Sequence, residues 1–433
     1  MENKYQETID FLFNQLADFS RQGATGYKPG LERVEILANG FGNPHVGMPV
    51  IHVGGTNGKG STSHTLAAIL QSAGYRVGLF TSPHLIDFRE RIRVDGEMIP
   101  KESVIDFTDR YLAMDFGDLK PSFFELTTVM ALEYFREMKV DVAVVEVGLG
   151  GRLDSTNIVS PLLSIITNIS LDHTALLGPT RRDIAAEKAG IIKPGVTAVI
   201  GEDDPETRPV YQGKAREVGS ELVFADEYRP IENAVESDGY LLLTTKRHGI
   251  IRDQLCGDCQ VQNAATILTA VDRLINLGWK ISDQAIAEGF AHVCDMTGLM
   301  GRWSVIPGRP RVIFDTAHNP GGWKYIVNQL VRITGKKRIV VGFVDDKDSD
   351  EILRMIGRLD DISLYFCEPD SHRALPVERL REKAVSAGID GLVFPTVTGA
   401  CKKALADSGE GDTVFVGGSN YVVAEFLQFI SRL

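Results

Sequence analysis

The chain has 433 residues, more than one hydrophobic core ordinarily serves, so we expect two domains. Hydrophobic residues make up 43% and charged residues 24%, both typical of globular proteins, which argues against disorder. The net charge of −12 argues against a nucleic-acid-binding or membrane-surface role, because such roles need a basic face. The five scattered cysteines, the acidic amphipathic N-terminus and the lack of a long apolar run predict a cytoplasmic protein.

Strand and helix patterns alternate in the first half of the chain. Val50 to Gly55 predicts a short buried strand, and "KGSTSHTLAAILQSAG" predicts the helix that follows it. Three more strands are predicted in "YRVGLFTS", "VDVAVVEVG" and "LLSIITNIS". Continuous apolar runs of this kind are typical of a parallel sheet covered on both faces. The stretch from about 201 to 259 is more polar and predicts no clear element, and "QNAATILTAVDRLINLG" returns to helix.

A second alternation begins after glycine and proline interrupt the pattern in "CDMTGLMGRWSVIPGRP". Strands are predicted in "RVIFDTAH", "RIVVGFV", "SLYFCEP", "GLVFP" and "TVFVGGS", with a helix after each. The sequence therefore predicts an α/β protein with a mostly parallel sheet in residues 1–296 and a smaller Rossmann-like α/β domain in residues 297–433.

The stretch "VIHVGGTNGKGSTS" almost matches the phosphate-binding pattern G-x-x-x-x-G-K-[ST]. Val53 stands where the first glycine belongs, Gly60 follows Lys59, and Ser61 comes one place late. Glycines let successive backbone N–H groups converge on an anion, the helix beginning near Lys59 adds its positive end, and the lysine adds a full charge. We therefore predict a phosphate site. The alternative is a merely tight turn between strand and helix.

Polar side chains follow the predicted strands of the first domain. Glu146 ends an apolar strand, where burial is costly unless the carboxylate is paired or ligates a metal. The alternative is an emerging Glu146 paired with Arg152. His173 lies just beyond the next strand, as a ligand or as a structural histidine. Ser82 closes an earlier strand and is placed to replace the hydroxyl displaced by Gly60.

Cys256 and Cys259 have C-x-x-C spacing, but no second pair completes a zinc site. The simpler interpretation, two semi-buried thiols before a helix, is favoured.

Taken together, these motifs resemble the folylpolyglutamate synthase and dihydrofolate synthase family, a branch of the Mur-type ATP-dependent amide ligases. The resemblance covers essentially the whole chain. It is carried by "GGTNGKGSTS", "LFTSPHL", "ERIRVDG", "SFFELTT", "VVEVGLGGRLDSTN", "ITNISLDHTALLG", "IAAEKAGIIKPG", "QNAATILTA", "MGRWSV", "FDTAHNPGG", "VVGFVDDKD" and "GGSNYVVAEF". It implies a Mur-ligase-like ATP-binding domain that also carries the folate or pteroate site, followed by a glutamate-ligase domain.

The resemblance also implies roles for residues of this sequence. It implies two Mg²⁺ ions, one held by Ser82 with Glu146 and the other by Glu146 with His173. Lys188, which composition alone would call exposed, would be carbamylated and would act in catalysis with Lys59 and His173. The implied ATP contacts are Asn57, Gly58, Lys59, Gly60, Ser61, Asn263, Arg302, Asp315 and His318. The implied pterin and benzoyl contacts are Tyr27, Lys28, Phe123, Phe124 and Asp154, although Phe123 and Phe124 could equally be core residues.

Three departures from the family pattern are visible. Thr316 replaces a glycine in "DTAHN", Cys259-Gln260 replaces a His-Gln pair, and "FVDDKD" replaces a less acidic stretch while keeping Asp346, Lys347 and Asp348.

The implied function is ATP- and Mg²⁺-dependent ligation of L-glutamate to dihydropteroate, to reduced folate polyglutamates, or to both, through an acyl phosphate. The expected partners are these small molecules, with neither nucleic acid nor membrane, and the expected state is a monomer. One alternative is another Mur-type ligase acting on a cell-wall precursor. The other is a nucleotide-dependent regulatory switch, which need not keep Ser82, Glu146, His173 and Lys188 together.

Overall fold

The computed structural model describes residues 1–18, 26, 28–237, 239–345 and 348–432. The chain divides into two compact units, Met1–Gln254 with Cys259–Leu299, and Leu255–Asp258 with Met300–Leu433. The boundary thus follows Leu299, whereas the sequence predicted it between residues 296 and 297. Within these described ranges we find no helix with the length and hydropathy needed to span a bilayer.

The first unit is built on an eight-stranded sheet. In chain order its strands are β1 (Val50–Gly54), β2 (Val77–Phe80), β3 (Ile92–Val94), β4 (Glu97–Met98), β5 (Val142–Glu146), β6 (Leu163–Ile166), β7 (Ala198–Ile200) and β8 (Leu222–Phe224). The spatial order is β4-β3-β2-β5-β1-β6-β7-β8. The pairs β2–β3 and β3–β4 are antiparallel and all the others are parallel. The four predicted strands are its parallel centre, β2-β5-β1-β6.

The strand order reverses between β1 and β6. From β1 the chain continues to β2 on one side, whereas from β6 it continues to β7 on the other. Gly54 pairs with Ile166 across this point, and Val53 pairs with Glu146 on the opposite side of β1. In open α/β sheets, ligands bind at such a reversal, beyond the carboxyl ends of the strands.

Helices surround this sheet, packing on its two faces or on one another. They are α1 (Glu2–Asn14), α2 (Glu32–Gly40), α3 (Lys59–Ser72), α4 (Lys101–Ala113), α5 (Phe123–Glu137), α6 (Thr174–Leu177), α7 (Arg181–Ala189), α8 (Arg208–Val218), α9 (Ala225–Tyr228), α10 (Asp258–Asn276), α11 (Asp283–Ala291) and α12 (Val293–Thr297). Neighbouring strand residues such as Val144 and Val145 point into opposite cores. This burial on both faces explains the continuous apolar runs.

Helix α3 is enclosed almost completely. Every side chain from Gly60 to Leu70 is buried, because α3 lies between the sheet and α11. Gly289 of α11 permits this packing, since a Cβ there would lie 2.5 Å from the Cα of Ile69.

The stretch from about 201 to 259, for which the sequence predicted no clear element, contains α8, β8 and α9 and then a three-stranded antiparallel sheet. Its strands are β9 (Ile231–Ser237), β10 (Tyr240–Thr245) and β11 (Ile250–Asp253), in the order β11-β10-β9. Leu241, Leu243 and Ile251 point inward to the same core as α3 and α10. The alternate residues are polar or exposed, which is why the stretch reads as irregular.

The second unit is a separate α/β sheet. Its strands are β12 (Ser304–Ile306), β13 (Arg311–Asp315), β14 (Lys337–Val341), β15 (Ile362–Cys367), β16 (Leu392–Phe394) and β17 (Thr413–Gly417). Its helices are α13 (Pro320–Arg332), α14 (Ser349–Ile356), α15 (Val377–Ser386), α16 (Val397–Ala406) and α17 (Asn420–Ile430). The order is β12-β13-β17-β14-β15-β16, parallel except for β12. The predicted α/β alternation is confirmed, and β12 is an additional edge strand.

Candidate functional site

The glycine-rich loop joins the end of β1 to the start of α3. Gly55 and Gly58 have φ angles of +136° and +82°, which other residues rarely adopt. Helix α3 begins at Lys59, and within the described residues no side chain caps it and no acidic residue lies in its first turn. Its first turn therefore suits an anion, because backbone N–H groups and the positive end of the helix dipole lie there.

Close packing leaves no room for larger residues in this loop. A Cβ on Gly55 would lie 1.9 Å from Thr167 Oγ1, and one on Gly58 would lie 2.2 Å from Asn263 Oδ1. Asn263, a predicted ATP contact on α10, thus lies against the loop. Its Nδ2 donates to Gln260 Oε1 at 2.8 Å, and Gln260 Nε2 donates to Ser61 Oγ at 3.4 Å.

The segment after β6 holds the other side of the loop. Thr56 N donates to Asn168 O at 2.8 Å, and Asn57 N donates to Asn168 Oδ1 at 3.1 Å. Thr167 Oγ1 donates to Asn57 O at 2.6 Å. These bonds fix the loop before any ligand arrives, which limits the entropy that binding costs.

Two lysines meet at this loop. Lys59 Nζ donates to Thr56 O at 3.0 Å, and Lys188 Nζ donates to Gly55 O at 2.7 Å. Lys188 is only 5% exposed, contrary to what composition suggests. Burial, and then the positive charge of Lys59, lower the pKa of Lys188 to about 7, although Asp172 and Asp154 act in the opposite direction.

The predicted metal ligands lie at or just beyond the carboxyl ends of strands in the same sheet. Glu146 is the last residue of β5 and is 3% exposed, while Arg152 pairs with Glu187 at 2.7 Å rather than with Glu146. Ser82 follows β2, the neighbour of β5. Hydroxyl and carboxylate oxygens are ligands that Mg²⁺ prefers.

His173 lies beyond β6, on the other side of the loop. It adopts a left-handed conformation with φ of +50°, and its N–H donates to Asp172 Oδ1 at 2.8 Å. The parallel strands β2, β5 and β6 end at the same edge of the sheet; Glu146 is the last residue of β5, and Ser82 and His173 follow the ends of β2 and β6. In the described ranges no three His, Cys, Asp or Glu side chains form a metal-binding cluster. A few ligands still fit Mg²⁺, which usually keeps several waters and takes further ligands from substrate phosphates.

The expected substrate contacts are placed differently from one another. Phe123 is 1% exposed and stacks on Phe13 with ring centroids 4.9 Å apart, so it lies in the core. Phe124 is partly exposed, and its ring lies against Gly148, where a Cβ would be 2.5 Å from Cζ.

Two further expected contacts are neighbours in the sequence. Lys28 Nζ donates to Lys120 O at 2.8 Å. Tyr27 lies outside the described residues.

Asp154, the remaining substrate candidate, is buried and bonds its own loop. It accepts hydrogen bonds from Leu149 N at 2.8 Å and from Thr156 N at 3.0 Å, and also from the Thr156 hydroxyl. Burial raises the pKa of Asp154 despite these donors.

The second unit carries its own polar cluster at the end of β13. Partly buried Asp315 accepts from Trp303 N at 2.7 Å and from Ala317 N at 2.8 Å, with Arg302 and His318 nearby. Thr316, which replaces a family glycine, keeps a negative φ, and its hydroxyl donates to Gly301 O at 3.1 Å. The replacement is therefore accommodated without backbone strain.

The other two departures from the family pattern are the acidic stretch 346–348 and Cys259. Asp346 and Lys347 lie outside the described residues, and Asp348 caps α14 by accepting from Glu351 N at 3.2 Å. Cys256 is buried and Cys259 partly exposed, and neither is in a disulfide bond.

Several residues that build the site were not predicted. Asn168, Thr167, Gln260, His52 and Thr156 act through contacts between distant segments. Their side chains are common in loops and helices, so the sequence contains no signal for them.

Two Mur ligase domain families match this chain. The Mur ligase middle domain matches residues 53–271, and the Mur ligase glutamate ligase domain matches residues 301–420. The dihydrofolate synthase/folylpolyglutamate synthase of Escherichia coli K12 is 36% identical, covering 99% of this chain and 94% of that protein.

Two solved structures are similar along almost the whole chain. Escherichia coli FolC in complex with DHPP and ADP has a TM-score of 0.84 and 34% identity, and covers 99% of this chain and 98% of that one. A bifunctional folylpolyglutamate synthase/dihydrofolate synthase with Mn, AMPPNP and L-glutamate bound has a TM-score of 0.78 and 34% identity, with 94% and 95% covered. The chain described here belongs to the dihydrofolate synthase/folylpolyglutamate synthase family of Mur ligases.

Proposed function

We propose that this protein is an ATP-dependent ligase that joins L-glutamate to dihydropteroate and to reduced folate polyglutamates. The observation that carries the proposal is the uncapped start of α3, with Lys59 and the buried Lys188 on one glycine loop and the buried Glu146 on the adjacent strand. The relatives bound to ADP, DHPP, AMPPNP and L-glutamate support the same substrates.

The chemistry requires activation of a carboxylate, because its oxygen is a poor leaving group. A carboxylate oxygen of the pterin substrate attacks the γ-phosphorus of ATP, and ADP leaves. The glutamate amine then attacks the acyl carbon of the resulting acyl phosphate, phosphate departs, and the nitrogen loses a proton to form the amide. The loop N–H groups and Lys59 hold the phosphates and offset the negative charge that develops during transfer.

We propose that Ser82 and Glu146 hold one Mg²⁺ ion and that Glu146 and His173 hold a second. Bound Mg²⁺ would neutralise phosphate oxygens and orient the γ-phosphate. The position of Glu146 at the carboxyl end of β5, next to the strand that precedes Ser82, supports this assignment, because carboxylate and hydroxyl oxygens are ligands that Mg²⁺ prefers. Asn263, from its place against Gly58, and Arg302, Asp315 and His318, from their local cluster, remain proposed nucleotide contacts.

We also propose that Lys188 is carbamylated. A pKa near 7 leaves much of the amine neutral at physiological pH, and the neutral amine is the form that adds to CO₂. Carbamylation would replace a positive charge beside Lys59 with a negative one, which removes the repulsion between the two lysines.

One assay tests the function. Purified protein is incubated with ATP, Mg²⁺ and L-glutamate, together with dihydropteroate or tetrahydrofolate, and the products are identified by mass. We expect products heavier by one glutamate residue. Ligation only with a cell-wall precursor would favour the other Mur-type reaction, and phosphate release independent of both substrates would favour a nucleotide switch. Light scattering of the same sample tests the expected monomer.

A further inference from the structure

His52 and Thr156 connect the central strand β1 to the glycine loop 148–151. We propose that they are positioning residues that hold this loop, through Asp154, in the shape that accepts the pterin substrate. The inference rests on the proposed function and deepens it, because neither side chain is expected to touch a substrate.

The direction of the hydrogen bonds follows from the number of protons. His52 is fully buried, and its Nε2 lies 2.8 Å from Thr156 Oγ1. The Thr156 hydroxyl has one hydrogen, which it donates to Asp154 Oδ1. Its oxygen must therefore accept from His52, so the imidazole carries its proton on Nε2.

The surroundings of the other ring nitrogen of His52, Nδ1, also indicate a neutral imidazole that donates from Nε2. In the part of the chain that is described, Nδ1 of His52 has no hydrogen-bond partner, as suits an unprotonated nitrogen in an apolar strand. Burial, and then the nearby positive charge of Lys193, lower the pKa of His52 to about 3. The histidine therefore stays neutral across the physiological range, and its hydrogen bond to Thr156 selects the Nε2-protonated tautomer.

Asp154 uses both carboxylate oxygens on its own loop. Oδ1 accepts from the N–H and hydroxyl of Thr156, and Oδ2 accepts from Leu149 N. Asp154 thus closes the loop on itself, and Thr156 supplies two of these three bonds.

The loop in turn fixes groups on both sides. The ring of Phe124 packs on Gly148, and a Cβ on Gly151 would lie 3.0 Å from Lys188 Cα. A loop released from Asp154 would therefore be free to shift relative to Phe124, a partly exposed aromatic candidate, and to the helix that carries Lys188. The nucleotide loop has its own hydrogen bonds to Asn168 and Thr167, so it would be affected less.

The experiment compares two matched pairs of variants. Thr156→Val removes the hydroxyl with little change of volume, whereas Thr156→Ser keeps it. His52→Leu removes the donor, whereas His52→Gln presents an N–H near the position of Nε2. For each variant we would measure the KM for 7,8-dihydropteroate, the KM for ATP, kcat, and amide hydrogen exchange of residues 147–155.

We expect Thr156→Val to raise the KM for dihydropteroate about tenfold while the KM for ATP changes less than about twofold. Exchange in residues 147–155 should accelerate, and that in α3 should not. Thr156→Ser should restore most of the wild-type KM for dihydropteroate and most of the wild-type exchange protection. His52→Gln should lie closer to wild type in both measurements than His52→Leu.

An unchanged KM for dihydropteroate in a folded Thr156→Val protein would overturn the proposal, as would equal rises in both KM values. If Thr156→Val does not fold, the His52 pair decides, and equal behaviour of His52→Leu and His52→Gln rejects the role. If the wild-type protein ligates no glutamate, the proposed function fails instead, and hydrogen exchange alone then decides whether the two residues hold the loop.

Discussion

Lys188 donates to the carbonyl of Gly55, in the same glycine loop where Lys59 donates to Thr56. Two ammonium groups therefore share one loop, and the buried one has its pKa lowered to about 7. Because this pKa is below the usual value for lysine, the neutral amine grows in fraction as pH rises through about 7.

We expect Lys188 to form a carbamate, more readily above about pH 7 than below it, because the neutral amine is the nucleophile. Incubation with ¹³C-bicarbonate should give a carbamate carbon signal in NMR spectra. Lys188→Arg should lack this signal, and exposed Lys280→Ala should keep it. The same signal in both variants would assign the carbamate to another site.

Lys59→Ala should lower kcat for ligation by about 100-fold or more, because it removes a charge that offsets the transferring phosphate. The assay is phosphate release coupled to dihydropteroate and glutamate. Lys280→Ala, on the same unit but exposed, serves as the control and should retain wild-type turnover. Near-normal turnover of Lys59→Ala would reject the assignment of the loop.

Glu146→Gln should raise the Mg²⁺ concentration needed for half-maximal rate by about tenfold or more, since a neutral amide is a poorer ligand for a hard cation. Glu137→Gln is the control, because Glu137 is exposed and pairs with Arg110 instead. Superimposable metal titrations for wild type and Glu146→Gln would remove Glu146 from the metal site.

Gly58→Ala should weaken ATP binding by about tenfold or more, because a Cβ cannot fit beside Asn263 Oδ1 and φ is positive. Gly219→Ala separates these two causes. Gly219 also has a positive φ, +64°, but nothing lies within 4 Å of its added Cβ. This control should lose about 1 kcal/mol of stability and keep its affinity for ATP, measured by calorimetry. Equal affinities of the two variants would contradict the packing argument.

His248 should make stability depend on pH. It lies between β10 and β11, with Nδ1 2.7 Å from Asp283 and Nε2 3.3 Å from Asp272, and the hydrogen bond to Asp272 is the main cause that raises its pKa. Arg247 and Tyr228 also face Asp272. The stabilisation is complete below the unfolded pKa, about 6.5, and is lost as pH rises through the higher folded pKa.

The urea midpoint of His248→Gln should therefore fall below that of wild type most at acidic pH, and the difference should shrink on raising the pH. His292→Gln, at an exposed histidine, is the control. A difference that is constant from acid to alkaline pH would contradict the ion-pair explanation.

The sequence predicted the central strands of the large sheet better than the strands near its edge. The central strands are long apolar runs such as "VDVAVVEVG", whereas β7 and β8 have three residues each and resemble any short apolar patch. The three-stranded sheet alternates buried and exposed residues within a polar stretch, so its pattern is weak.

In the candidate site, Lys59, Glu146 and His173 could be proposed from the sequence because strand ends of a parallel sheet lie at one edge. Residues such as Asn168 and Thr156 could not, because their roles depend on tertiary contacts. Lys188 shows the limit most clearly, since its burial follows from the packing of α7 on the glycine loops and not from any local pattern.

The enclosure of α3 affects how sequence variation in this region should be interpreted. From Gly60 to Leu70 the helix has neighbours on every side, so enlarging almost any of these residues would force backbone or sheet to shift. A mutational scan would therefore find this helix intolerant along its whole length, including faces remote from any nucleotide. Such intolerance reports steric confinement, and residues that act on ATP must be recognised by kinetics rather than by their sensitivity to replacement.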